Sequence, residues 1–183
     1  MPKRNVKRMC YAALLAAMYL PLSLYAAVQV GNVRISFGSL PVVAAALLFG
    51  PVDAVIVAMV GEFFKQLLTY GVTYTTVLYL IPPALRGLVV GLGALALLSL
   101  RGQRLEERRM LCYAVCIVAA VCTTLGNTLV NWLDSVLMGY YFPGLILGDF
   151  VWRLIVGMIN AVMMSSLAIP LVKALRQRNA VSL

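Results

Sequence analysis

The stretch from Arg34 to Pro51, RISFGSLPVVAAALLFGP, joins a polar, turn-prone opening to an apolar run too short for an ordinary membrane helix, and closes on a Gly-Pro stop. Gly38 and Pro41 favour a loop turning into a helix, and Gly50-Pro51 ends one helix and starts another. The stretch reads as a loop, a short crossing and a tight reversal. An arginine beside Ser and Phe at the mouth of such a run is expected to face water or a ligand, because lipid is a costly neighbour for it. The Arg34 loop is therefore where a gate is expected.

The rest of the chain supplies the membrane that this reading needs. Of 183 residues, 63% are hydrophobic and 11% charged, with a mean hydropathy of +0.96, which excludes a soluble globular domain. The expectation is an all-α integral membrane protein forming a single unit over residues 1–183, since no polar span is long enough to hold a second domain. The opening MPKRNVKRMC is basic, but the apolar run behind it lacks a clean small-residue cleavage site. A first membrane helix is expected there in preference to a removable signal peptide.

A formal net charge of +9 would raise nucleic acid as a partner for a soluble protein. Here the basic residues fall in three clusters at helix ends: Lys3, Arg4, Lys7 and Arg8; Arg101, Arg104, Arg108 and Arg109; Lys173, Arg176 and Arg178. That is the positive-inside pattern, which sets orientation and places all three clusters in the cytoplasm. The four cysteines lie on the inner half of apolar helices and the chain has no histidine, so neither a disulfide nor a metal site is expected. They read as small packing residues.

Parity then fixes the number of crossings. Between the amino terminus and the Arg101 to Arg109 loop, both inside, three long apolar runs are evident: about Lys7 to Val30, Val52 to Tyr70, and Val77 to Leu100. An even number is required, so Leu40 to Phe49 must supply the fourth. The runs from about Arg109 to Leu137 and from Leu147 to Leu175 add two more. Six transmembrane helices with both termini cytoplasmic follow, with outer loops at Gly31 to Ser39, Tyr70 to Thr76 and Met138 to Ile146.

Polar residues at membrane depth cost about 2.5–3.5 kcal/mol each if left facing lipid, so they are expected to turn inward. Glu62 and Lys65 lie three residues apart on one helical face and can pair. Arg86 lies about nine residues below the start of its helix, in the outer half at about 1.5 Å per residue. Thr124, Asn127, Asn131 and Asp134 form one polar stripe. Asp149 and Arg153 are one turn apart, with Asn160 deeper on the same face. Arg34, Lys65, Arg86 and Arg153 set four positive charges against Glu62, Asp134 and Asp149. Two readings are open: local ion pairs that tie helices together, or a water-accessible pocket for a small anion or zwitterion beneath the Arg34 loop. Phe37, Tyr70, Tyr74, Tyr79, Tyr140, Tyr141, Phe142 and Trp152 crowd the outer side as an interfacial belt, and one or two could stack on a flat ring. On the first helix Ala12, Ala13, Ala16 and Ala17 form small-xxx-small pairs, which serve internal packing or contact with a partner protein.

Enzyme chemistry finds little support. Without histidine there is no His-assisted nucleophile, and Glu106 with Glu107 reads as a solvated salt-bridge face in a basic loop. No GxxxxGK[ST] stretch is present, so active transport would need an external motor.

RISFGSLPVVAAALLFGP, then GEFFKQLL, PPALRGLVVG, LGNTLVNWLDSVLMG and a helix opening FVWRL resemble the substrate-binding S component of energy-coupling factor (ECF) vitamin transporters, closest to the folate-specific family. The order of these pieces spans most of the chain, and RxSFGxLP and ALRGLxxG are the specific ones. The resemblance implies a multi-pass subunit of a bacterial cell membrane that binds a vitamin from outside. It implies docking to a transmembrane coupling protein and two cytosolic ATPases, then toppling to release cargo inward. ATP would be used by those partners, with no cofactor in this chain. It also implies that Ala12, Ala13, Ala16 and Ala17 meet the coupling protein. For a folate ligand, Glu62 or Asp149 would accept the paired donors of a pterin edge and Arg34, Arg86 and Arg153 would hold the glutamate tail. Lys65, Asn127 and Asn131 would complete the polar wall, and Phe37, Tyr74 and Trp152 the aromatic one. The loop GVTYTTVLYLIPP departs from the folate pattern, which is richer in Gly, Pro and Phe, and Glu62 stands where Asp is frequent. Pantothenate or another vitamin is the alternative ligand, and a structural membrane protein or a self-sufficient carrier the alternative class.

Overall fold

The computed structural model describes residues 6–30, 33–139, 144, 148 and 150–177. Among these, the chain runs α1 (Val6–Leu24), β1 (Ala27–Val30), β2 (Val33–Ser36), α2 (Ser39–Phe49), α3 (Pro51–Tyr70), α4 (Ile81–Arg101), α5 (Arg109–Leu137) and α6 (Phe150–Gln177), with single 3-10 turns at Leu78–Leu80 and Leu105–Glu107. By length and apolarity alone, three helical segments can cross a membrane: Leu78–Arg101, Arg109–Leu137 and Phe150–Gln177. The shorter apolar helix is α2.

α2 is the centre. Pro41 to Phe49 are all buried, and α1, α3, α4 and α6 pack around it. A helix that is apolar on every side belongs in a core; this one spans 11 residues, and side chains of its neighbours satisfy its carbonyl end. Arg8 of α1 donates to the Phe49 carbonyl and pairs with Asp53 at the start of α3. Arg176 of α6 donates through Nη2 to the Leu47 carbonyl at 2.7 Å. Cations at a helix carboxyl end satisfy its orphan carbonyls and its dipole together. Gly50, at φ 91°, then turns the chain into Pro51, the first residue of α3.

Those contacts bring the start of α1, the end of α2, the start of α3 and the end of α6 to one basic end of the bundle. α4 reaches the same end, where it crosses α3 so closely that a Cβ at Gly91 would lie 2.4 Å from Pro51 Cα, and one at Gly87 would lie 2.9 Å from the Ala54 backbone. Gly87 and Gly91 form a GxxxG face, the close-approach device of membrane helices. The connecting Glu106 pairs with Arg176 at 3.0 Å. Successive helices therefore alternate in direction about this end.

Two expectations are corrected. The first helix does not continue to Val30; it ends at Leu24, one turn after Pro21, and a two-stranded antiparallel ribbon follows, pairing Ala27 with Ser36 and Val30 with Val33. Alternating β-branched residues on either side of Gly31-Asn32 favour strands over continued helix. Glu106 is not a solvated charge: it is 3% exposed and ion-paired to Arg176, whereas Glu107 is exposed. The alanine stripe divides, with Ala12 and Ala16 packed against the core and Ala13 and Ala17 exposed. Cys112 and Cys116 are buried packing residues, as expected, and Cys122 is half-buried, but Cys10 is exposed.

Candidate functional site

Away from the basic end, polar residues of all six described helices converge. Leu15, Tyr19 and Ser23 form the buried face of α1 at a spacing of four. This directs Tyr19, 6% exposed, onto α3, where its ring lies so close to Gly61 that any side chain there would overlap it. The phenol donates to Glu62 Oε2 at 2.6 Å. Lys65 Nζ reaches Glu62 Oε1 at 2.8 Å and Oε2 at 3.2 Å, and Gln66 Nε2 donates to Oε1 at 2.8 Å. A carboxylate offers about four lone-pair sites, and these four contacts occupy them. A carboxylate held by this many donors is fixed in place.

This closed network forms one wall of a cavity of about 190 Å³, lined also by Ser36, Ser39, Tyr79, Pro82, Pro83, Arg86, Thr123, Asn127 and Asn160. α4 supplies Arg86 from the turn just before the Gly87 crossing, so the helix contact that fixes its backbone also aims the side chain. Unlike Lys65, Arg86 makes no hydrogen bond or ion pair with any described residue. Across from it on α6, Asn160 Oδ1 is buried without a hydrogen-bond partner. Arg86, Asn160 and Ser39 also border a narrow extension toward Val90 and Met164. The cavity thus combines a satisfied anion with an uncommitted guanidinium and an uncommitted amide oxygen. Buried polar groups are normally paired, and this pair of open groups describes a site for a ligand with both acceptors and a donor.

Lys65 and Tyr79 are shared with an outer cavity of about 520 Å³, lined by Gln66, Tyr70, Thr73, Thr75, Asn131 and Asp134. Tyr79 donates to Asp134 Oδ2 at 3.0 Å, tying the 3-10 turn before α4 to α5. Joined, the two cavities fall within the roughly 300–1,000 Å³ typical of small-molecule sites.

Of the residues expected from sequence, Glu62, Lys65, Arg86, Asn127 and Asn131 line these two cavities. Tyr74 is almost fully exposed, and Phe37, Trp152 and Arg153 line neither cavity. Thr124 donates to the Ala120 carbonyl at 2.9 Å and lies against Gly157 of α6, where an added Cβ would be 3.2 Å from its hydroxyl. The side chain of Arg34, a β2 residue, and all of Asp149 lie outside what is described. Tyr19, Ser39, Gln66, Thr123 and the prolines of α4 enter the site without having been foreseen. Tyr19 was legible only through the four-residue spacing of the buried face of α1.

The network makes a stability prediction. Tyr19→Phe keeps the ring against Gly61 but removes a charge-assisted bond to a buried carboxylate, a loss of about 1.5–3 kcal/mol. Thermal melting in detergent should shift down by several degrees; an unchanged melt would mean that Glu62 is held without Tyr19.

Comparison with known proteins gives the family of this multi-helix chain. The model of the ECF-type riboflavin transporter S component family matches residues 3–177, and the chain belongs to that family. A solved structure described as "Structure and mechanism of the S component of a bacterial ECF transporter" is similar in fold, with a TM-score of 0.56, 19% identity and 97% of each chain covered. No curated protein matches this chain. The protein is accordingly an S component of an ECF vitamin transporter and a multi-pass protein of the cytoplasmic membrane.

Proposed function

We propose that this S component captures an aromatic vitamin from outside in the Arg86 cavity, and that the basic end of its bundle, where α1 starts and α6 ends, faces the cytoplasm. The observation that carries the reading is the uncommitted Arg86 guanidinium beside the orphaned Asn160 oxygen. A guanidinium in a low-dielectric cavity gains most from an anionic or strongly accepting ligand group. Folate is the first candidate, supported by RISFGSLP and ALRGLVVG: its tail carboxylate suits Arg86, and its ring donors suit the Asn160 oxygen. With Glu62 already saturated, Lys65 would have to swing away before that carboxylate could accept a pterin edge. Riboflavin is the second candidate, favoured by the name of the family. Its ring carbonyls suit Arg86, and a polyhydroxyl chain suits the Thr73, Thr75 and Asn131 wall of the outer cavity. Arg34 and the ribbon would close over the ligand and exclude water. Arg153, Trp152, Phe37 and Tyr74 serve the rim, and Asp149 remains a candidate partner of Arg153.

Delivery is assigned to partners. The exposed Ala13 and Ala17 edge of α1 is proposed to meet the transmembrane coupling subunit, and two cytosolic ATPases to spend ATP while this chain topples. Proteoliposomes test this: labelled vitamin should accumulate only with the coupling subunit, both ATPases and ATP present. Ion-driven accumulation by this chain alone would establish a self-sufficient carrier instead.

A further inference from the structure

A separate cavity of about 350 Å³ opens at the basic end, between the close of α2, the last turns of α4, the Leu105–Glu107 turn and α6. Phe49, Leu95 and Leu98 form its apolar side, and Arg104, Glu106 and Arg176 its polar side. It shares no lining residue with the Arg86 cavity.

The polar side is incompletely used. Arg176 spends Nη2 on the Leu47 carbonyl and sets Nε 3.0 Å from Glu106 Oε1, but its Nη1 is buried without a hydrogen-bond partner. Arg104 is exposed at the rim, and its side chain makes no hydrogen bond or ion pair with a described residue. Glu106 balances one arginine, so the lining keeps one net positive charge with two guanidinium edges open. The apolar side does not stop at the cavity: Leu95 is 46% and Leu98 42% exposed, continuing onto the outer surface of α4.

One open cationic pocket at a helix end, continuous with a lipid-facing apolar surface, matches a single molecule with both parts. We propose that this cavity seats an anionic phospholipid, its phosphodiester between Arg104 and Arg176 Nη1 and an acyl chain along Leu95 and Leu98. A zwitterionic lipid brings a cation of its own to an already positive pocket. A free phosphate leaves the apolar side wet. A bridging phosphate would add a second charged tie between α6 and the segment after α4, beside the Glu106 pair.

The test uses the purified full chain in mixed micelles, with bound lipid read by native mass spectrometry. Phosphatidylglycerol should be retained roughly tenfold over phosphatidylcholine, and Arg104→Gln should reduce that retention about fivefold, in line with one interfacial charge. Leu98→Gln should also reduce it. Arg104→Gln should leave the melting temperature of delipidated protein unchanged, which separates it from Arg176→Gln, where the α2 cap is lost as well. Equal retention of the two lipids, or full retention by Arg104→Gln, would overturn the proposal. Displacement by glycerol phosphate at matched concentration would assign the pocket to a soluble anion. Unaltered lipid retention with lost assembly onto the coupling subunit and ATPases would assign it to a protein partner.

Discussion

Arg86→Ala is expected to fold normally and to bind vitamin at least tenfold more weakly than the parent chain. The guanidinium lines the inner cavity and its deeper extension and is not committed to any described residue, so its removal breaks no internal bond that holds helices together. A hydrogen bond to a charged group contributes about 1.5–3 kcal/mol, which corresponds to a loss of roughly tenfold to more than a hundredfold in affinity. Arg86→Lys should recover only part of it, because an ammonium cannot present two parallel donors. Titration with the vitamin, alongside a thermal melt without it, checks both halves. Parental affinity in a folded Arg86→Ala protein would remove Arg86 from the site.

Gly91→Ala is expected to be the more damaging change to the fold, although it adds only a methyl group. That methyl would meet Pro51 Cα at 2.4 Å and Pro51 N at 2.6 Å, and backbone at the start of a helix cannot rotate aside as a side chain does. Overpacking of this kind costs about 1–3 kcal/mol and sometimes more. The clash would also push apart the crossing that sets Arg86 one residue before Gly87. Gly126→Ala is the matched control, since its added methyl would meet the flexible Leu85 Cδ1 at 3.0 Å. Melting of the two variants in detergent should show a large drop for Gly91→Ala and a small one for Gly126→Ala. Equal drops would mean that the α3–α4 crossing has slack that its geometry does not suggest.

Much of this arrangement is written locally in the chain. Apolar runs between charged clusters gave the helices, and α5 occupies Arg109–Leu137, the run read for it. The odd count of long runs called for Leu40 to Phe49, and α2 is there, buried because it is apolar all round. Glu62 with Lys65 needed only a three-residue spacing. What stayed hidden depended on partners distant in sequence. Tyr19 looks like one more interfacial aromatic until Glu62, 43 positions away, comes to its hydroxyl. Glu106 sits among charges, where exposure is the default, and is buried by an arginine at the far end of the last helix. The ribbon was missed for a different reason. Ala26 to Val30 continues the apolar run of α1, and apolarity alone does not distinguish a helical period from a strand period over so few residues.

The membrane environment explains why a handful of polar side chains carries so much of the account. In lipid the helices gain little from apolar burial against one another, so close approach at Gly87 and Gly91 and fixed polar contacts do the positioning. Arg8 and Arg176 settle the short central helix at one end. Tyr19, Glu62, Lys65 and Gln66 form a fixed polar wall at the other end, facing the cavity proposed to bind the vitamin.

The most direct test is calorimetric titration of the purified chain in detergent, with no ATPase present, against folate, its reduced forms, riboflavin and pantothenate. Tight one-to-one binding of one aromatic vitamin is expected, lost or weakened at least tenfold in Arg86→Ala. No binding of any of these by protein shown to be folded, or tight binding indifferent to Arg86, would contradict it.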